Sequence, residues 1–249
     1  MRNFAIRGAM LGASGGGVPT ARDYVQDGLI AMWDGIENAG WGTHNPTPSV
    51  WKDLIGNVDF DQTSNVQFDN GYKFTTTTSY LKTTKTISLP KIYSFEYVNN
   101  LPIDYSGYQS GNYGFWIFGK QWTAGPGLRS ASELCWYTGS SGQATFKNSG
   151  SIYPADRKWY TYAMTVVCGG TQVTTFKFGS GEYKQELGSG PYFGAKTSAL
   201  VLGYTGVIEN WGYAPIDSKV HCVRIYNRVL TDAEVAANYT IDKARFNLP

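Results

Sequence analysis

Apolar residues in this chain recur mostly at every second position, in short runs closed by Gly, Asn, Asp or Pro. A two-residue period belongs to strands, whose side chains alternate between the two faces of a sheet. In residues 92–98, Tyr93, Phe95 and Tyr97 alternate with Ser94, Glu96 and Val98. Residues 28–33, 134–137, 144–147, 159–167, 172–178, 183–187 and 200–202 read as further strands. Residues 113–118 (YGFWIF) are apolar on both faces and are expected to be central. Short alternating runs at 58–61, 66–69 and 72–75 surround Asn70-Gly71, the dipeptide that a tight hairpin turn with positive φ demands. After Trp51 to Ile55 returns to the core, Gly56-Asn57 turns the chain, and the threonine run from Thr75 to Thr78 leads to Tyr80 and Leu81. Roughly a dozen short strands with turn residues between them predict an all-β sandwich or barrel.

The period changes near the C-terminus. In residues 220–226 (VHCVRIY), Val223 and Ile225 point one way and Cys222 and Tyr226 the other, with Arg224 as the only charge. Such a strand belongs inside a sandwich. Thr231 and Glu234 then form a capping box, and Asp232 places negative charge at the positive end of the helix dipole. Val235, Asn238, Tyr239 and Asp242 follow at helical spacing, predicting about three turns packed on the sheet. On this reading a strand-edge partner accounts for Arg224 and the cap accounts for Glu234.

Composition narrows the class. With 249 residues and only 16% of them charged, the chain can bury a large core as one domain. A net charge of +2 without a Lys/Arg run excludes a strongly electrostatic mode of nucleic-acid binding. Cys135, Cys168 and Cys222 are unclustered, which fits three buried thiols better than a disulfide framework or a zinc site. The apolar stretch between Ala9 and Ala13 is interrupted by Gly12 and too short for an export signal. No run approaches the ~18 apolar residues of a membrane span. Residues 1–26 lack periodicity and carry Gly15, Gly16 and Gly17, so they are expected to be a flexible or anchoring arm ahead of a domain at 27–249.

The segments GLIAMWDG, WKDLIGN and YKFTTTTSYL, together with VHCVRIYNRVLTDAEVAANY, resemble the laminin-G-like branch of the concanavalin A-like lectin and glucanase superfamily. Val223, Arg224, Ile225, Tyr226, Asn227, Arg228, Leu230, Thr231 and Glu234 match that family's closing strand and turn. The resemblance covers residues 27–246 and implies a two-sheet antiparallel jelly-roll β-sandwich with one short C-terminal helix. It fixes no function, because one fold hosts lectins, hydrolases and structural modules. The stretch ARDYVQDGLIAMWDGIENAGWG and the extreme N-terminus are also similar to proteins of bacteriophages and prophages of gut bacteria. That similarity implies a virion-associated head, tail-fibre or decoration role, with residues 1–26 inserted among neighbouring subunits. Release by lysis would then remove the need for an export signal.

Candidate chemistry sits in the loops. Hydrolases of the resembled family set two glutamates and an aspartate at alternate positions of one strand, and retaining hydrolysis needs carboxyls about 5–5.5 Å apart. Here Glu182 and Glu186 lack the aspartate and share a face with Lys184, while Asp59 and Asp61 lie beside turns. Both pairs read as solvated faces, so a non-catalytic protein is expected. Relatives often bind calcium at the loop rim through oxygen ligands. Asp34 and Glu37, with Asn38 and Asn45, or Glu209, Asn210 and Asp217, would be the ligands here, although neither set has a recognised spacing. No other cofactor is indicated.

Sugars stack on Trp or Tyr while polar groups bond the hydroxyls. Trp41 with His44, Trp122 with Arg129, and Trp211 with Tyr213 and Glu209 supply that mixture in polar loops, whereas Trp33, Trp116, Trp136 and Trp159 belong to the core. The same loop residues suit packing over the sandwich edge or a protein contact. The expected partners are a glycan or neighbouring virion subunits, with a homo-oligomer allowed. The alternative is a carbohydrate-binding module on a bacterial surface or secreted; the fold also admits a glycoside hydrolase.

Overall fold

Residues apolar on both faces of one strand must be covered from both sides, and Lys219–Tyr226 is covered so. A computed structural model describes residues 17–90, 92–100, 113–114, 125–130, 133–137, 159–167, 173–178, 183–187, 196–204, 213–214 and 216–248, with the strands between 113 and 187 described by their backbone. The strands are β1 (Leu29–Asp34), β2 (Phe60–Ser64), β3 (Val66–Phe68), β4 (Tyr72–Phe74), β5 (Tyr80–Leu89), β6 (Ile92–Asn100), β7 (Tyr113–Gly114), β8 (Gly125–Ser130), β9 (Glu133–Tyr137), β10 (Trp159–Val167), β11 (Val173–Phe178), β12 (Tyr183–Leu187), β13 (Lys196–Gly203) and β14 (Lys219–Tyr226). One helix, α1 (Asp232–Phe246), follows.

β14 lies between β6 on one edge and β4 followed by β1 on the other, inside an eight-stranded antiparallel sheet that runs outward through β10, β11 and β12. A second sheet, β13-β5-β2, packs on one face of the first. Between them, Trp33, Tyr93, Phe95, Tyr97, Val223 and Ile225 of the large sheet meet Phe60, Leu81, Ile87, Leu89, Leu200 and Leu202. Each fully buried aromatic there removes roughly 150–250 Å² from water. Trp33 is held further by its indole N–H, which donates to the Val58 carbonyl at 3.0 Å. The register shifts between Val220 and Cys222 and again along β1 are bulges, so Val220 can join the same core as Val223.

The opposite face of β6, β14 and β1 is covered by α1. Val235, Asn238, Ile241, Asp242 and Arg245 are its buried positions, with Tyr239 half-buried beside them. The helix runs 15 residues, one turn longer than expected, because Asn247 closes it in the left-handed conformation (φ 52°) with its N–H on the Lys243 carbonyl. At its start, Thr231 and Glu234 bond reciprocally as the sequence predicts, and Arg228 forks onto the same glutamate at 2.7 and 2.9 Å.

The structure departs from the alternation pattern in three places. β5 runs ten residues through a stretch that the pattern leaves unassigned, because Thr83 fills a buried position and Thr84 to Thr86 face solvent at a bulge. Residues 125–130, read as part of a polar loop, form β8 between β7 and β9. The expected boundary at residue 26 also moves. A capped turn, Ala21–Asp23, and the buried Tyr24 dock on α1: the Tyr24 hydroxyl donates to Asp242 at 2.7 Å, and the Val25 amide donates to Asn238 at 2.9 Å. The rest of the arm, residues 1–16, and the strand expected at 144–147 lie outside the described residues.

Two outcomes are expected. Deleting residues 1–26 should cost about 3–5 kcal/mol more, by urea midpoint, than deleting 1–18, the usual loss for a buried aromatic. The second concerns pH. The Arg228 fork holds the Glu234 carboxyl down to about 2 from an ordinary 4.5. That pair's stabilisation is therefore complete above 4.5 and drains away as pH falls through about 2. Glu234→Gln should flatten this part of the stability–pH curve measured by denaturant titration.

Candidate functional site

The site expectations converge on the loop that leaves β1. Asp34 ends that strand, and its Oδ1 accepts from the Ile36 and Glu37 amides at 2.8 and 2.9 Å, which turns the chain out of the sheet. Residues 36–50 are irregular, as expected, but their polar groups are extensively bonded. The Asn38 side-chain amide bonds the Asn45 backbone twice, donating to its carbonyl and accepting from its N–H, each at 2.7 Å. His44 places Nδ1 2.8 Å from the Ile36 carbonyl. Glu37 accepts from the Gly42 amide at 2.7 Å. Gly42 takes a positive φ of 66°, a conformation that costs glycine little and so suits it to this tight return.

Beneath the loop lies a buried ion network that the sequence does not announce. Arg224 is fully buried on the face of β14 that meets α1, so a partner at the strand edge does not account for it. Its guanidinium donates to Glu96 at 2.8 Å and forks onto Asp242 at 2.7 and 2.8 Å, while the Tyr24 ring lies 4.1 Å below it. Arg245, from the last turn of α1, donates to Asp34 at 2.8 Å, to Glu37 at 3.2 Å and to the Pro19 carbonyl at 2.9 Å.

Two guanidinium groups thus serve four carboxyls. Burial pushes Asp34 and Glu96 up against the pull of their arginines. These are also the two carboxyls with one oxygen unbonded among the described residues. Burial pushes Glu37 up as well, but the Ala21 and Gly42 amides and Arg245 outweigh it and hold it low.

The calcium candidates are therefore engaged by protein donors. Asp34 and Glu37 point to Arg245 and backbone amides, the Asn38 side chain bonds the Asn45 backbone, and Asn45 Oδ1 accepts from the Thr47 amide. Asp217, in the last loop, pairs with Lys73 at 2.7 Å. Among the described residues no group of three or more His, Cys, Asp or Glu is arranged to hold a metal ion. Of the carboxylates weighed for hydrolysis, Asp59 accepts from Lys52 and the Asp53 amide, and Asp61 from the amide and hydroxyl of Thr84. Glu186 stands opposite Thr174 in the register of β11 and β12, and Glu182 lies outside the described residues.

The aromatic candidates separate into two places. Trp41 is half-buried against the helix-side core, with the Arg22 guanidinium 4.4 Å from its ring centroid. His44 is exposed near Phe68, their centroids 6.0 Å apart, at the Asn70-Gly71 end of the β3–β4 hairpin. Tyr213 lies by the other end of β4, where Ala214 donates to the Thr77 carbonyl. It is 39% exposed and stacks on Tyr204 at 6.3 Å. Trp122, Glu209, Asn210 and Trp211 lie outside the described residues, and Arg129 is placed only by its backbone, at the irregular step of β8. Sequence reasoning missed Arg22 and Arg245. A helical spacing from Asp242 was the only signal for Arg245, and Arg22 had none.

The profile of one family, described as the concanavalin A-like lectin/glucanases superfamily, matches residues 96–236. That span is more than half of the chain. The chain belongs to this superfamily.

Curated protein sequences yield no match to it. Among solved structures, Trypanosoma rangeli sialidase in complex with 2,3-difluorosialic acid is similar over 93% of this chain and 35% of its own, with 15% identity and a TM-score of 0.57. The binding domain of botulinum neurotoxin serotype D is similar over 86% of this chain and 51% of its own, with 14% identity and a TM-score of 0.55. This chain thus spans about a third of the sialidase and half of the toxin domain. At such identities the likeness is one of fold. It bears out the concanavalin A-like antiparallel β-sandwich with a C-terminal helix, while β7, β8 and β9 pair as a third sheet, so Tyr113–Gly114 is not a central strand of the large sheet as expected. Among the described residues no helix is long and apolar enough to cross a membrane.

Arg245→Ala should leave the buried Asp34 without its cation and destabilise the domain by about 3–5 kcal/mol. The deficit should narrow as pH falls, because burial already favours the neutral form of Asp34. Denaturant midpoints of wild type and variant at neutral and mildly acidic pH measure both effects.

Proposed function

We propose that this chain is a non-catalytic glycan-binding module carried on a bacteriophage particle, as a fibre or decoration component. One observation carries the binding half. Every carboxyl buried among the described residues (Asp34, Glu37, Asp53, Glu96 and Asp242) bonds an arginine or backbone amides, while aromatic and hydroxyl groups remain exposed at the sandwich edge. Hydrolysis needs a carboxyl pair open to substrate. Recognition needs apolar ring surface with polar groups beside it. Tyr213 beside the threonine turn 75–78, and Trp41 with His44, supply the second requirement.

Membership of a lectin and glucanase superfamily supports this reading, as does the similarity to a sialidase and to toxin binding domains. The placement on a particle rests on the resemblance of the extreme N-terminus and of residues 21–42 to phage proteins, with the arm at residues 1–26 engaging neighbouring subunits. On a glycan array the full chain should retain at least one glycan class, and Tyr213→Ala or Trp41→Ala should weaken it about tenfold or more, as truncating an aromatic anchor does. Retention of nothing would end the glycan reading. An antibody to the chain that labels the bacterial envelope but not purified phage would end the particle placement and favour a cell-surface module.

A further inference from the structure

Four arginines have described side chains, and three of them grip carboxylates. Arg224 holds Glu96 and Asp242, Arg228 holds Glu234, and Arg245 holds Asp34 and Glu37. Arg22 differs. It is exposed, its guanidinium lies over Trp41 at 4.4 Å, and no carboxylate among the described residues pairs with it.

A guanidinium attracted to an aromatic ring spends none of its N–H donors on a carboxylate, so the contact places the cation without consuming its fork. The carboxylates beside it are turned elsewhere. Asp23 folds back to accept from the amide and hydroxyl of Thr20. Glu37 accepts from the amides of Ala21 and Gly42 and from Arg245. Trp41 is flanked by Gly40 and Gly42, and a Cβ at either would meet no described residue within 4 Å, so the backbone beside Trp41 is uncrowded. With Arg22 over the ring, a ligand reaches Trp41 at its edge and meets the cation at the same moment.

We infer that Arg22 and Trp41 form a subsite for an acidic sugar: the guanidinium fork takes the sugar's carboxylate while the pyranose lies along the indole edge between Gly40 and Gly42. The planar fork matches a planar carboxylate through two parallel N–H···O bonds. The inference rests on the glycan-binding reading and names the ligand class for this part of the rim.

The test uses the full chain and two immobilised sets: uronate- or sialate-terminated oligosaccharides, and the same oligosaccharides with the carboxyl reduced to an alcohol. Wild type should prefer the acidic set by about tenfold or more, the scale of a charge-assisted bidentate contact, and rising salt should erode the preference. Arg22→Gln should abolish the preference, so that the acidic and the reduced sets are retained alike. Arg22→Lys, which keeps the charge but not the fork, should retain only part of it. Equal binding of both sets by wild type would overturn the subsite and leave the glycan reading standing. Equal, Arg22-dependent retention of sulfated or phosphorylated glycans would overturn the carboxylate assignment. Retention of neither set would remove the subsite together with the glycan reading.

Discussion

Arg224 forking onto Asp242 is the contact on which the helix side of the molecule depends. A guanidinium that is fully buried in the middle of a sheet is tolerable only when its donors are matched by acceptors. Glu96 from the neighbouring strand and Asp242 from α1 provide that match, so the helix cannot lift without leaving an unpaired charge in a dry layer. Tyr24 closes the arrangement from below, with its ring against the cation and its hydroxyl on the same aspartate. Three stretches far apart in the chain are thereby locked to one side chain.

Arg245 extends the lock to the rim. One turn of α1 beyond Asp242, it reaches the end of β1, the start of the 36–50 loop and the chain entering at Pro19. The loop that carries Trp41 and His44 is consequently held from below by the helix and internally by the Asn38–Asn45 pair. Its polar residues, which suggest a metal site when read along the chain, serve mainly to build the loop. His44 is among the residues it leaves exposed, while Trp41 is half-buried with the exposed Arg22 guanidinium against its ring.

Much of the architecture was legible because its signals are local. Strand periodicity, the Asn70-Gly71 turn and the Thr231–Glu234 box each depend on residues within a few positions of one another. β5 was illegible because its buried Thr83 is polar, and its hydroxyl is satisfied by the Lys85 carbonyl and the Leu200 amide, partners that alternation does not encode. β8 was missed because a Gly/Pro-rich string reads as a loop until a neighbouring backbone completes its ladder.

The sequence by itself determined the all-β class and the capped C-terminal helix, since hydrophobic period and capping chemistry are properties of short segments, and its closing motif resembled the superfamily that the family profile shows. Only the tertiary structure decided that Arg224 is a core residue, that Asp34 and Glu37 answer to Arg245, and that residues 19–26 belong to the domain. Those outcomes depend on which charges share a buried space, and the pairs concerned are separated by up to 211 positions along the chain. No local pattern carries that information, because the cost of burying a charge is set by the neighbours the fold delivers.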